Sequence, residues 1–309
     1  MTHHHNHTNH MHDHHHVKSQ QSFNFAFGVA VVLNFSFTVF QVVYAMLAGS
    51  MSLLADAVHN FGDVFGLVLA WGANWLLTLP ARERYSYGFK RTTIIAALSN
   101  ALILVATSSL IAYESIQKLL HITAVNGYLV IVVALIGIII NGSTALLFMN
   151  GAHDDLNIKG AFLHLLADAL ISFGVVIAGV LILLTHRMWV DPLAGLIIVA
   201  LILWGTWGLL RDSIRLLLDA VPHYIDVNSI QHYLQTLPGV VAVHDLHIWG
   251  LSTKEVALTV HLIMPTSKLT DENFKTINVI LKQTFRIDHA TIQVEAGSPE
   301  FPCEQIKTC

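Results

Sequence analysis

The chain has 309 residues, of which 54% are hydrophobic and only 12% are charged. Because about a quarter of the residues in a soluble domain are charged, this composition excludes an ordinary soluble protein and indicates an integral membrane protein. The formal net charge of −4 argues against nucleic acid as a partner. The two cysteines both lie in the last seven residues, so no disulfide framework can hold the fold together.

The chain begins with a histidine-rich tract. The segment MTHHHNHTNHMHDHHH contains nine histidines interleaved with Asn, Thr, Met and Asp, a mixture typical of natural metal-binding tracts rather than of an uninterrupted affinity tag. It lacks the basic n-region of a signal peptide. We therefore assign residues 1–20 to a histidine-rich N-terminal tract that precedes the membrane domain.

Six segments are long and apolar enough to cross a membrane, which requires about 20 residues. They predict six transmembrane helices within a membrane domain of residues 21–216, at 23–47, 51–78, 92–116, 125–149, 158–184 and 190–214. If the spans alternate in direction, only Lys118 and Arg187 fall on one side. Eight basic residues fall on the other: Lys18, Arg82, Arg84, Lys90, Arg91, Lys159, Arg211 and Arg215. By the positive-inside rule, both termini are expected in the cytoplasm.

Residues 217–298 have the composition of a soluble domain. Helical spacing in 226–237 and 271–285, with strand patterns in 240–249, 255–264 and 289–295, predicts the element order αββαβ. Thr270 or Asp271 is the expected N-cap of the second helix. This order suits a small open-faced sandwich with both helices on one face of the sheet. A tail of residues 299–309 carries Cys303 and Cys309.

Ionisable residues deep in the spans are concentrated in two helices. Span two carries His59 and Asp63, and span five carries His164 and Asp168. Residues four apart lie on one helix face, so each pair presents a nitrogen and an oxygen to the same neighbour. If the two spans face each other, the pairs form a four-ligand N2O2 set. That set matches the tetrahedral preference of zinc, although cobalt and other first-row dications accept the same ligands.

Other interpretations of these residues stay open. One intramembrane His–Asp pair can be a hydrogen-bonded helix contact or part of a proton relay, but two pairs at identical spacing favour metal ligation. An internal similarity between LLADAVHNFG (53–62) and LLADALISFG (165–174) aligns Asp56 with Asp168. Because Asp56 lies outside the two i,i+4 pairs, we do not interpret it as a ligand; a residue that supports the ligands and a polar contact on the helix face both stay open.

The chain resembles the cation diffusion facilitator family, in particular its bacterial zinc exporters and the vesicular zinc transporters. The motifs that carry the resemblance are SLLADAVHNFGDV, YSYGFKR, FLHLLADAL, the DP that opens span six, and VHDLHIW in the soluble domain. They extend over residues 23–296. The resemblance implies a homodimer of six-helix membrane domains with cytoplasmic metallochaperone-like domains. It also implies that the protein exports Zn²⁺ in exchange for protons, with Zn²⁺ as transported substrate and as a regulatory ligand.

The resemblance also assigns metal ligands to positions of this sequence. The zinc-preferring members carry a His–Asp pair on both helices, which corresponds here to His59, Asp63, His164 and Asp168. Metal-binding positions of the cytoplasmic domain correspond to His244, His261 and Glu295, whereas His247 is more doubtful because strand alternation puts it on the face of Asp245, opposite His244. The His-rich loop of many vesicular members is represented here by His153 alone.

Two other functions use the same residues. A membrane-bound zinc sensor would bind the metal without transport. An intramembrane metallohydrolase would need an activated water and a general base beside the metal, and the sequence has neither an HExxH motif nor a nucleophile elbow. The sequence therefore favours a zinc efflux transporter of a bacterial inner membrane, and not an enzyme.

Overall fold

The computed structural model describes residues 14–149, 156–266 and 270–298, and only the backbone for 14–30, 148, 156–158, 160 and 161. The described chain forms two compact units. Among the described residues, the first contains 14–64, 106–149 and 156–203, and the second contains 65–105, 204–266 and 270–298.

Six long helices precede the mixed α/β segment, in agreement with the predicted spans. They are α1 (His14–Ala48), α2 (Met51–Leu77), α3 (Thr92–Leu120), α4 (Gly127–Met149), α5 (Leu156–Thr185) and α6 (Val190–Leu217). Each contains a stretch long and apolar enough to cross a membrane. Helix α1 begins before the predicted residue 23, because a helix can extend beyond the apolar segment that crosses the bilayer.

The first unit contains α1, α4 and α5 together with segments of the other three helices. Small residues allow α4 and α5 to approach closely. A Cβ at Gly179 would lie 2.7 Å from the Ile131 side chain, and one at Gly127 would lie 3.2 Å from the Gly179 carbonyl oxygen. Many large apolar side chains nevertheless remain exposed, such as Leu184 at 75%, as expected of a surface that faces lipid.

The second unit contains the α/β segment, and its element order confirms the predicted αββαβ arrangement. The elements are α7 (Val227–Gln235), β1 (Ala242–Gly250), β2 (Val256–Ile263), α8 (Asp271–Phe285) and β3 (His289–Glu295). The sheet has the order β1-β2-β3, in which β1 and β2 are antiparallel and β2 and β3 are parallel. The central strand β2 is buried along almost its whole length, since it has a neighbour on each side.

Both helices of this segment pack into one hydrophobic core with the sheet. Helix α7 contributes Ile230 and Leu234, and α8 contributes Ile277 and Leu281. The predicted N-cap of α8 is confirmed at Thr270, whose hydroxyl accepts the Asn273 amide while the Asn273 side chain accepts the Thr270 amide. These two bonds satisfy backbone donors that a helix N-terminus otherwise leaves unpaired.

The turn between β1 and β2 lies against the start of α3 within the second unit. Lys90 forms an ion pair with Glu255, and the Thr253 amide donates to the Thr93 hydroxyl at 3.1 Å. The two strands that carry His244 and His261 are thereby joined through their turn to a membrane helix.

Candidate metal centres

The His–Asp pairs of α2 and α5 meet inside the first unit. His59 and Asp63 occupy one face of α2, and His164 and Asp168 occupy one face of α5. The His59 Nε2 atom lies 3.2 Å from Asp168 Oδ1, and the His164 Nε2 atom lies 3.4 Å from Asp63 Oδ2. Each histidine therefore contacts the carboxylate of the opposite helix.

The spacing of these atoms suits a tetrahedral metal ion. Within each helix, the nitrogen-to-oxygen distance is 3.8 Å, both for His59 to Asp63 and for His164 to Asp168. Zinc bonds of about 2.0–2.1 Å place neighbouring ligands of a tetrahedron roughly 3.3 Å apart. The observed separations run from 3.2 to 3.8 Å, but they involve both ring nitrogens of His59 and both carboxylate oxygens of Asp168. Side-chain rotation, above all of His164, is therefore needed to bring one donor atom of each residue to bonding distance of a single ion.

The side chains of this centre differ in burial. The exposed fractions are 4% for Asp168, 18% for His59, 28% for Asp63 and 47% for His164. His59, Asp63 and Asp168 each offer a ligand atom within 4.8 Å of the other two, and the more exposed His164 stands outside that group. The buried Asp63 Oδ2 atom has no hydrogen-bond partner among the described residues, although imidazole nitrogens of both histidines lie within 3.8 Å. It is well placed to accept a cation.

Asp56 belongs to a separate polar network one turn from this centre. Its side chain is fully buried, and its Oδ2 atom accepts hydrogen bonds from Gln41 Nε2 at 2.6 Å and from Ser172 Oγ at 3.0 Å. Asn60 Nδ2 in turn donates a hydrogen bond to the side-chain oxygen Oε1 of Gln41 at 3.0 Å. The network joins α1, α2 and α5. Its geometry agrees with the interpretation of Asp56 as a supporting residue.

The sequence analysis missed the role of Asp191, the Asp of the DP motif. This fully buried residue of α6 accepts hydrogen bonds from the Met51 and Ser52 amides at 2.5 and 3.3 Å. It also accepts hydrogen bonds from the hydroxyls of Ser50 and Ser52 at 2.5 and 2.6 Å. The carboxylate thus caps the N-terminus of α2 from another helix. The presence of an acidic residue at the start of an apolar span is the signal that points to such a role.

A second cluster lies on the sheet of the second unit and contains the predicted residues His244, His261 and Glu295. The two histidines are cross-strand partners on β1 and β2, and Glu295 ends β3. The Glu295 carboxylate bridges them, with Oε1 2.8 Å from His261 Nδ1 and Oε2 3.3 Å from His244 Nε2. All three are mostly buried and offer ligand atoms within 4.8 Å of one another. A nitrogen-rich set with one carboxylate suits zinc and other first-row dications.

Strand alternation between His244 and His247 is interrupted by a β-bulge. Asp245 has a positive φ of 50°, which turns its carboxylate toward the cluster instead of leaving it on the face opposite His244. Asp245 Oδ2 lies 3.4 Å from His261 Nε2, and Asp245 Oδ1 lies 3.0 Å from His247 Nε2. Simple alternation did not predict the contact between Asp245 and His261.

Several predicted features lie outside the described residues. They are residues 1–13 of the histidine-rich tract, His153, and the tail with Cys303 and Cys309.

Residues 28–218 match the family described as cation efflux transmembrane domain, and residues 222–297 match the cation efflux protein, cytoplasmic domain. The chain is 34% identical to the metal cation efflux system protein CzcD of Cupriavidus metallidurans over 90% of this chain and 87% of that one. It is 33% identical to the zinc transporter ZitB of Escherichia coli, over 84% and 83% of the two chains. It is 30% identical to the cadmium, cobalt and zinc/H(+)-K(+) antiporter of Bacillus subtilis, over 86% and 87%.

Proposed function

The chain belongs to the cation efflux family of membrane transporters, and we propose that it exports zinc from the cytoplasm in exchange for protons. The observation that carries this proposal is the convergence of the two His–Asp pairs between α2 and α5. The relatives named as a zinc transporter and as a zinc/H(+)-K(+) antiporter support both the cargo and the exchange.

His59, Asp63, His164 and Asp168 form the proposed transport site. Two imidazoles and two carboxylates supply four ligands of the kinds that zinc prefers. The two carboxylates neutralise the dication, which lowers the cost of holding it at membrane depth. Because two helices each supply one pair, relative movement of α2 and α5 can open the site toward either side of the membrane, as alternating access requires.

Exchange for protons follows from the same ligands. A nitrogen lone pair of His59 or His164 can hold either the metal or a proton, so protons arriving from outside compete with the bound zinc. Zinc would load where protons are scarce and leave where they are abundant. The exported cation and the entering protons thus use one site in turn.

We place the termini in the cytoplasm on the basis of the eight-to-two distribution of basic residues, in a bacterial inner membrane. In this orientation, residues 1–20 and the domain of residues 217–298 both lie on the cytoplasmic side, from which zinc is exported. The histidine-rich tract would raise the local zinc concentration near the transport site. We further propose that the protein works as a homodimer, as the family resemblance implies.

The cluster of His244, His261 and Glu295 is the proposed regulatory zinc site. It belongs to the α/β segment, which matches the cytoplasmic domain of cation efflux proteins, and it is therefore distinct from the transport site. Its ligands come from three adjacent strands, so bound metal would hold the sheet in one arrangement. The β1–β2 turn that contacts the start of α3 through Lys90 and Thr93 offers a route to the membrane helices.

Proteoliposomes with a pH-sensitive dye inside test the transport proposal. Addition of zinc to vesicles that contain the wild-type protein should produce a zinc-dependent pH change, and His164→Ala and Asp168→Ala should each abolish it. A panel of Zn²⁺, Co²⁺, Cd²⁺ and Fe²⁺ measures selectivity in the same vesicles.

A matched control is Ser108→Ala, which changes a fully buried polar residue of α3 outside the site. It should retain the zinc-dependent pH change. Flux that survives in His164→Ala or Asp168→Ala would contradict the assigned transport site. Zinc binding by the wild-type protein without any flux would instead favour a sensor.

A further inference from the structure

On the sheet of the α/β segment, a fourth side chain, the carboxylate of Asp245, lies beside the three proposed zinc ligands. At the β-bulge, β1 advances from His244 to His247 while β2 advances only from His261 to Thr259. A bulge of this kind re-aims side chains, and here it brings Asp245 against the ring of His261, with Asp245 Oδ2 3.4 Å from His261 Nε2. The side chain of Asp245 is only 10% exposed.

The backbone at Asp245 indicates that this contact is specific. Its φ of 50° lies in the left-handed region, which is strained for a residue other than glycine. Asp and Asn tolerate this conformation better than most residues. A strained position of this kind persists only where the surrounding contacts support it, and the contacts of Asp245 include the rings of His261 and His247.

We infer that Asp245 is a positioning residue of the cytoplasmic zinc site, whose carboxylate accepts the Nε2–H of His261 and leaves Nδ1 of that ring as the metal ligand. This inference rests on the proposed zinc site of His244, His261 and Glu295. His261 Nδ1 faces Glu295 at 2.8 Å, whereas Nε2 faces Asp245. A carboxylate on the second nitrogen of a metal-binding histidine fixes the tautomer and orientation of the ring and makes it a stronger ligand.

The two histidines of the site are supported unequally. His244 Nδ1 is buried and has no hydrogen-bond partner among the described residues, so Asp245 orients only one ring. His247, whose side chain is 47% exposed, contacts the other carboxylate oxygen of Asp245 at 3.0 Å. It therefore holds the carboxylate toward His261. His247 therefore lies beside the site as a partner of Asp245 and not as a metal ligand.

The experiment measures zinc binding by the full-length protein in detergent, in competition with a chromophoric chelator. The zinc equivalents that the wild-type protein binds and His261→Ala does not define the cytoplasmic site. Asp245→Asn and Asp245→Gly are the informative variants, because both residues accept a positive φ and neither substitution adds backbone strain. Asn keeps an acceptor for the His261 N–H without the charge, whereas Gly removes the acceptor.

The affinity of the cytoplasmic site should fall about tenfold in Asp245→Asn and about 100-fold in Asp245→Gly, the range found for such outer carboxylates. His247→Gln should show a smaller loss, since it acts through Asp245. In none of the three variants should the thermal midpoint of the metal-free protein fall or the number of remaining zinc equivalents change. Glu272→Gln, which alters an exposed carboxylate of α8, is the control and should bind zinc like the wild type.

Wild-type affinity in Asp245→Gly would overturn the inference. A fall in the metal-free thermal midpoint that accompanies the loss of affinity would also overturn it, because it would make Asp245 a fold-stabilising residue only. If Glu295→Gln and His261→Ala lose zinc while the Asp245 variants do not, the regulatory site stands and only the role of Asp245 is wrong. If neither loses zinc, the regulatory site itself is wrong and the inference falls with it.

Discussion

Replacement of Asp191 by Ala should destabilise the membrane domain, because this side chain caps α2 from α6. The carboxylate accepts four hydrogen bonds, from the Met51 amide, the Ser50 hydroxyl, and the amide and hydroxyl of Ser52. The two hydroxyls lie 3.2 Å apart and can hydrogen-bond to each other, which largely compensates for the loss of their bonds to Asp191. The two buried amides have no such substitute.

The magnitude follows from those two amides. A hydrogen bond to a charged group contributes about 1.5–3 kcal/mol, and neighbouring bonds are not additive. We therefore expect Asp191→Ala to lower the free energy of unfolding by about 3 kcal/mol. At about 2–4 °C per kcal/mol for a domain of this size, the thermal midpoint in detergent should fall by roughly 6–12 °C.

The same substitution should also weaken zinc binding at the proposed transport site. The capped helix carries His59 and Asp63 in its next turns, and a frayed N-terminus loosens their placement relative to α5. The measurement is a thermal unfolding curve with and without zinc, and the control is Asp212→Ala, which removes another carboxylate of α6. An Asp191→Ala protein with the thermal midpoint and zinc shift of the Asp212→Ala control would refute this reasoning.

Further predictions concern packing and capping. Gly137→Ala should destabilise the protein by about 1–3 kcal/mol, because the new Cβ would lie 2.9 Å from the Phe37 ring. A Cβ added at Gly142 on the same helix would have no neighbour within 4 Å, so Gly142→Ala should stabilise the protein by about 1 kcal/mol through helix propensity. Equal thermal midpoints for the two variants would contradict both predictions. Thr270→Ala should lower the free energy of unfolding by about 1 kcal/mol through loss of the capping box, whereas Thr276→Ala in the same helix should leave it nearly unchanged. Chemical denaturation of both variants measures the difference.

The helices and strands were predictable from sequence because each depends on a local pattern. The α8 helix of residues 271–285 and the β3 strand of residues 289–295 begin and end where spacing and capping residues predict. The pairing of α2 with α5 was also predictable, although their residues are more than a hundred positions apart. Two ionisable pairs of identical spacing cannot face lipid without a large cost, so each pair requires the other.

The contacts that support the centres were not predictable, because they depend on three-dimensional approach. The Asp191 carboxylate meets Ser50 across 141 residues of sequence, and Ser172 meets Asp56 across 116. Neither pair has a periodic or local signature. The bulge at Asp245 could not be predicted either, since it inserts one residue into a strand pattern that otherwise alternates.

The four aspartates described within the transmembrane helices of the first unit separate into two kinds by the groups that their carboxylates face. Asp56 and Asp191 accept from amides and hydroxyls, namely Gln41 and Ser172 for Asp56 and the start of α2 for Asp191. An amide N–H offers no lone pair to a metal ion, and hydroxyls are not among the usual protein ligands of zinc. Asp63 and Asp168 face imidazole nitrogens at 3.2–3.8 Å, which become ligands once they lose a proton.

This difference assigns roles where sequence similarity does not. The internal similarity aligns Asp56 with Asp168 in the same LLADA motif, yet the two side chains meet chemically different neighbours. A carboxylate that faces amide and hydroxyl donors is fixed in place by bonds that a metal cannot replace. One that faces imidazoles can exchange a proton for a dication with little movement of its surroundings. At the proposed transport site, we therefore expect function to depend on the pairing of carboxylate with imidazole rather than on the presence of a carboxylate in the membrane.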